Sequence, residues 1–281
     1  MSPGIDDSQP LLAKAAPIKA MALSETALQS LVTAIDSDDV TAIILGGSYA
    51  RGEATAYSDV DFARLVRTRP QGKKKRYFYR EGRLISVVTW TLDFIEESMT
   101  KPEFAIWRVP SLREARILLD KEGLFGAFQR RLAGFRWETL QAKADAWASD
   151  MLMLYAEFVH KALGALLTQN EMALAYATNE LLYTITWAVA VQRGVLMQSG
   201  NSYYAQAQEA AGLDSTWTRY HRMLCLGPLP THLPAVQARG IAALRLYQET
   251  AHLLRDALQP GDREVIEQAA QVIEQARLPA L

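Results

Sequence analysis

Gly46-Gly47-Ser48-Tyr49-Ala50-Arg51-Gly52-Glu53-Ala54-Thr55-Ala56-Tyr57-Ser58-Asp59-Val60-Asp61-Phe62 is the stretch on which the fold turns. Val40-Thr41-Ala42-Ile43-Ile44-Leu45 precedes it, a short apolar run that predicts a buried strand. Asp61-Phe62-Ala63-Arg64-Leu65-Val66 follows and predicts a second strand. Two strands are thus joined by a glycine-opened segment with a short helix over Tyr49 to Glu53, and the second strand opens on two carboxylates. Alternation along a strand puts Asp59 and Asp61 on one face, roughly 7 Å apart.

Carboxylates so spaced can converge on one hard cation. Magnesium takes oxygen ligands and uses one or two carboxylates plus substrate phosphates. Gly46 and Gly47 let backbone approach a ligand closely, and a turn entering a helix aims N–H groups at an anion. Ser48 adds a hydroxyl and Arg51 a fixed positive charge. A phosphate cradle and a cation site in one stretch imply a metal-bound nucleoside triphosphate.

Gly47-Ser48, ten residues, then Asp59-Val60-Asp61 resembles the motif of the DNA polymerase β-like nucleotidyltransferase superfamily. The Arg51-Gly52 and Ser58 flanks are similar to those of its smaller bacterial members, the aminoglycoside adenylyltransferases among them. The motif spans 46–61, and the order of elements extends the resemblance to about residue 120. It implies that Asp59 and Asp61 are catalytic residues and ligands of Mg²⁺. It also implies that Gly47, Ser48, Arg51 and Ser58 hold the nucleotide, ATP as substrate. In such enzymes the strand beside Asp-x-Asp carries a third carboxylate. Here that strand is Leu84-Ile85-Ser86-Val87-Val88-Thr89-Trp90-Thr91, and Ser86 stands where the glutamate is expected. A serine cannot accept a proton at neutral pH as a carboxylate can.

The bulk properties are ordinary for a soluble globular protein. Of 281 residues, 49% are apolar and 22% charged, and the net charge is −1. No global field draws nucleic acid, which is not expected as a partner. The single cysteine, Cys225, excludes an internal disulfide and fits a cytoplasmic location; its apolar helical context predicts a buried thiol. No apolar run is long enough for a membrane span. The four histidines (160, 221, 232 and 252) show no zinc spacing.

Residues 1–20 read as an N-terminal arm, 21–135 as the nucleotidyltransferase domain and 136–281 as an all-helical bundle. The expected class is α+β: a small mixed sheet with flanking helices, then the bundle. Leu28, Leu31, Val32 and Ile35 predict a first amphipathic helix capped by Ser24. Residues 70–82 hold the one basic run, Lys73-Lys74-Lys75-Arg76 with Arg80, interleaved with Tyr77, Phe78 and Tyr79. It reads as a solvated hairpin turning at Pro70-Gln71-Gly72, with contact to phosphate or a nucleic-acid backbone as the other reading.

Asp93-x-x-Glu96 reads as a helix cap, with substitution for the missing acid as its alternative, and Asp120 as the cap of a helix starting at Lys121. Beyond residue 136 helical spacing runs over about 137–167, 171–194, 202–211, 215–225, 233–258 and on to about 277. Asp145, Asp150, Glu157, Glu171 and Glu180 lie on the first two of these helices. Glu157 is either a base with a raised pKa or half of a surface pair with Lys161. Trp187, Tyr183, Tyr203, Tyr204 and Trp217 supply aromatic surface for the core or for an acceptor.

The expected activity is transfer of a nucleoside monophosphate to a hydroxyl of a small molecule, such as an aminoglycoside, or of a protein. The alternatives are a nucleotide-binding regulatory protein with weak or no transfer, and a toxin–antitoxin component acting on a protein or tRNA. Oligomeric state is left open, a homodimer being one way for bundle domains of this kind to bury an apolar face, and no membrane partner is expected.

Overall fold

The computed structural model describes residues 23–72 and 74–281; the N-terminal arm lies outside them. The class is α+β, a five-stranded mixed sheet followed by a largely helical region. The chain divides into two compact units, one through Ile95 with Ser111–Ala133, the other Glu96–Pro110 with Gly134–Leu281.

In the first unit the strands are β1 (Val40–Gly46), β2 (Val60–Val66), β3 (Lys75–Arg80), β4 (Arg83–Trp90) and β5 (Arg116–Asp120). Their order is β3-β4-β2-β1-β5. Only β2 and β4 run parallel; the other pairs are antiparallel. Central β1 is buried along its apolar run because strands flank it on both sides. Helix α1 (Glu25–Ile35) starts at Ser24, whose Oγ accepts the Ala27 N–H at 3.1 Å. Its Leu28, Leu31 and Val32 cover Val60, Phe62, Val66, Ile85 and Val87 on one sheet face. The other face carries Asp61, Ala63, Ser86 and Val88 and is left for the site.

The five-residue helix α2 (Gly47–Arg51) joins β1 to the loop before β2. The basic run folds differently from the expected turn at 70–72. The reversal is Glu81-Gly82, both at positive φ (51° and 72°), between β3 and β4. That backbone suits a two-residue hairpin. It fixes the register Arg80↔Arg83, Phe78↔Ile85 and Tyr77↔Ser86.

Two cap assignments also change. Helix α3 (Leu92–Met99) is capped by Thr91, whose Oγ1 accepts the Phe94 N–H at 3.2 Å, so Asp93 is a first-turn acid. A further helix, α4 (Pro102–Arg113), has apolar residues all round and Pro110 within it, which leaves no single face to read from sequence. Helix α5 (Leu124–Ala133) begins three residues later than expected. Asp120 still satisfies it, accepting the Gly126 N–H at 2.8 Å from the end of β5.

The second unit contains α6 (Gln141–Leu167), α7 (Glu171–Gln192), α8 (Tyr203–Ala211), α9 (Thr216–Cys225), α10 (Ala235–Leu253) and α11 (Pro260–Gln275). These coincide with the helical spacing in the sequence to within a few residues at each end. Small residues let the helices approach. A Cβ at Gly240 would lie 2.5 Å from Leu174 Cδ1, so α10 and α7 cross there because no side chain intervenes. No helix among the described residues is long and apolar enough to cross a membrane.

Candidate active site

The parallel pairing of β2 with β4 sets Asp61 beside Ser86 at Cα level. The buried Ser86 hydroxyl donates to the Asp61 carboxylate. Asp59 sits half-buried just ahead of β2. Burial is the main reason the Asp61 carboxyl lies above the usual carboxylate range, and the nearby Asp59 charge adds to it. Ser86 and the Lys75 ammonium pull the other way. Two carboxylates held close with one desolvated is a costly arrangement that a cation relieves.

Gly47 is required twice over. Its φ is +64°, and a Cβ there would fall 2.7 Å from Asp61 Oδ2. The carboxylate occupies the space a side chain would take. Gly46 has an ordinary φ of −112°, and its nearest contact would be 3.9 Å from the Asp61 carbonyl oxygen, so any small residue is tolerated there. The close approach belongs to the second glycine.

A cavity of about 280 Å³ opens over this face, lined by Gly46, Gly47, Asp61, Lys75, Ser86 and Ser111 among others. Ser48 follows Gly47 as the second residue of α2. Arg51 does not stand loose at the site. Its Nε donates to Glu53 at 2.7 Å and one terminal nitrogen lies 3.6 Å from Glu114. Ser58 closes the loop before β2, its Oγ accepting the Thr55 N–H at 2.8 Å. Arg83, buried at the start of β4, donates to the Thr55 carbonyl at 3.0 Å and also to that of Ala56, holding the same loop.

Within the basic run, for which the sequence offered phosphate contact only as the other reading, Lys75 is the residue that lines the cavity. The hairpin register puts Lys75 and Tyr77 on the Ser86 face, so the cation looks toward Asp61. The Glu81-Gly82 pair was the signal, since a two-residue reversal at that point dictates every partner of β3.

Two of the acids on the long helices have partners within their own unit. Glu157 pairs with Lys161 at 2.7 Å on an exposed helix face. Asp145 accepts from Gln141 at 2.7 Å and Gln192 at 3.0 Å. The Cys225 thiol is pushed up to about 11 by burial. Trp217 belongs to the core, and Tyr183 is exposed.

The donor set fits a hard cation. Asp59 and Asp61 supply carboxylate oxygens, and Gly47 leaves room above one of them. Among the described residues no group of three or more His, Cys, Asp or Glu gathers to hold a metal. Two carboxylates with substrate phosphates is the pattern magnesium uses.

Residues 28–119 match the family model described as a nucleotidyltransferase domain, about a third of the chain. The match contains every residue that lines the cavity, from β1, α2, β2, β3, β4 and the stretch at the end of α4. A solved structure described as a nucleotidyltransferase-like protein from Exiguobacterium sibiricum 255-15 is similar over 91% of this chain and 81% of its own. The identity is 13% and the TM-score 0.47. No curated protein matches the chain.

Proposed function

We propose that the protein is a Mg²⁺-dependent nucleotidyltransferase that moves AMP from ATP to a hydroxyl acceptor and releases pyrophosphate. The observation that carries the reading is the Asp61 carboxylate packed against Gly47, with the Asp59 charge near it, in the part of the chain that matches the nucleotidyltransferase domain model. The carboxylates would hold the metal–triphosphate, and the metal when bound supplies charge neutralisation at the phosphates. Gly47 admits the phosphate chain, Ser48 donates to it, and Lys75 balances its charge from β3. Arg51 and Ser58 act on the nucleotide by fixing the loop and α2. The acceptor oxygen bonds to the α-phosphorus while the bond to the bridging oxygen breaks. Pyrophosphate leaves with that electron pair, and the hydroxyl proton passes to water.

The acceptor is a small molecule, an aminoglycoside being the example that the sequence resemblance implies, or a protein side chain. One observation favours a second reading. Ser86 fills the place of the third carboxylate and donates to Asp61, so no side chain there takes the acceptor's proton. On that reading the protein binds nucleotide as a regulator and transfers slowly.

A pyrophosphate-release assay with Mg²⁺, each nucleoside triphosphate and a panel of hydroxyl acceptors separates them. Acceptor-dependent release that disappears in Asp59→Ala/Asp61→Ala protein is the expected result. Nucleotide binding with no release for any acceptor would leave the regulatory reading standing and remove the first.

A further inference from the structure

Strand β3 is the outermost of the sheet, and beyond it no further strand pairs among the described residues. All of its residues are exposed, although three are aromatic. Tyr77 is 56% exposed, Phe78 36% and Tyr79 76%. A strand that only shielded the sheet would not leave three rings in water. Alternation places Lys75, Tyr77 and Tyr79 on the face of Asp61, and Arg76, Phe78 and Arg80 on the other. The Lys75 ammonium lies 4.7 Å from the Tyr77 ring centre. The two site-face tyrosines are roughly 7 Å apart along the strand.

The charge is as local as the aromatic surface. Seven of the chain's 30 lysines and arginines fall between residues 69 and 83, against one acid, Glu81. The net charge of −1 hides this segment. A second copy of the chain is a poor occupant, because edge-to-edge pairing of two β3 strands would face like charges. An acidic peptide would use the cations and leave the rings idle. Exposed rings between cations suit a ligand with both flat apolar faces and a regular negative backbone.

We propose that β3 is a docking strand for single-stranded nucleic acid, with Tyr77 and Tyr79 stacking bases and Lys75 meeting phosphate on the site face, while Arg76 and Arg80 reach phosphates round the open edge from the other face. The site-face half of this strip ends at Lys75, which also lines the Asp61 cavity. Tyr77 lies level with Ser86 and Asp61 across the sheet, so a nucleic-acid strand lying along β3 runs beside the carboxylate and can turn an end into the cavity. That last step, which would make a terminal nucleic-acid hydroxyl the acceptor, rests on the transfer reading; the docking itself does not.

Fluorescence anisotropy of the full chain with a labelled, unstructured RNA of a dozen nucleotides tests it. Saturable binding is expected, weakening roughly 20-fold between about 50 and 200 mM salt if three phosphates are met. Tyr77→Ala/Tyr79→Ala protein should bind at least tenfold more weakly with an unchanged melting temperature, while Tyr77→Phe/Tyr79→Phe binds as the parent does. Asp59→Ala/Asp61→Ala protein should also bind as the parent does, so loss of transfer with RNA binding intact counts only against the transfer reading. No saturable binding at low salt overturns the proposal. So does equal binding by the tyrosine-to-alanine variant, or competition by polyglutamate as effective as by unlabelled RNA, since either leaves charge alone as the cause.

Discussion

Asp61 and His221 are both desolvated titratable groups, the first half-buried and the second fully enclosed, and their surroundings differ in one decisive respect. His221 is fully enclosed in the helical unit. Its Nδ1 faces Gln208 Nε2 at 2.9 Å and its Nε2 faces Thr186 Oγ1 at 3.0 Å. Thr186 Oγ1 donates onward to the Leu182 carbonyl at 2.6 Å, so His221 Nε2 carries the proton. Trp217 stacks on the ring at 4.8 Å and Tyr204 meets it edge-on at 5.0 Å. Nothing is left over for a ligand. Asp61 instead keeps a carboxylate against an open cavity, with a like charge beside it and a cation across from it. Burial alone marks neither a site nor its absence; an unbalanced charge facing open space does.

The comparison breaks most visibly at Gly47. Gly47→Ala must adopt φ +64° and put its methyl where Asp61 Oδ2 lies. The backbone strain costs about 1–2 kcal/mol, and displacing the carboxylate by about 1 Å costs on the order of 10²-fold in turnover. Steady-state kinetics with a thermal melt on the same protein reads both. Gly46→Ala, with ordinary φ and no close contact, is the matched control and should retain turnover within a few-fold.

On the His221 side the expected effect is on stability. Burial lowers its pKa from 6.5 to about 4. Above pH 6.5 folded and unfolded chains are both neutral at this residue, so it adds no pH dependence. Below that the unfolded chain binds a proton the folded one refuses, and stability falls until about pH 4, by about 3 kcal/mol in all. Denaturant midpoints across that range should show the slope, and His221→Gln should flatten it. A third kind of titratable group gives the smallest effect. Glu157 shares an exposed pair with Lys161, so Glu157→Gln should change neither melting temperature nor turnover measurably.

Much of the site was legible because glycine, serine and carboxylates at fixed spacing admit few arrangements. The strand–turn–strand over 40–66 and the helical half followed from periodicity. Three features did not. Lys75 was hidden because a basic run looks solvated until the Glu81-Gly82 reversal fixes its register. Arg51 reads as a phosphate ligand in sequence, and its pairing with Glu114, more than sixty residues on, is not visible in the spacing. The α4 segment lacks a single apolar face, so spacing could not reveal it.

The central claim is that Asp59 and Asp61 together hold a divalent cation with a nucleoside triphosphate. Titrating Mn²⁺ into the protein with ATP, read by electron paramagnetic resonance, tests this without requiring an acceptor. The account predicts a ternary complex with the parent protein and its loss in Asp59→Asn/Asp61→Asn protein that melts normally. Equal Mn²⁺·ATP binding by both proteins would contradict it.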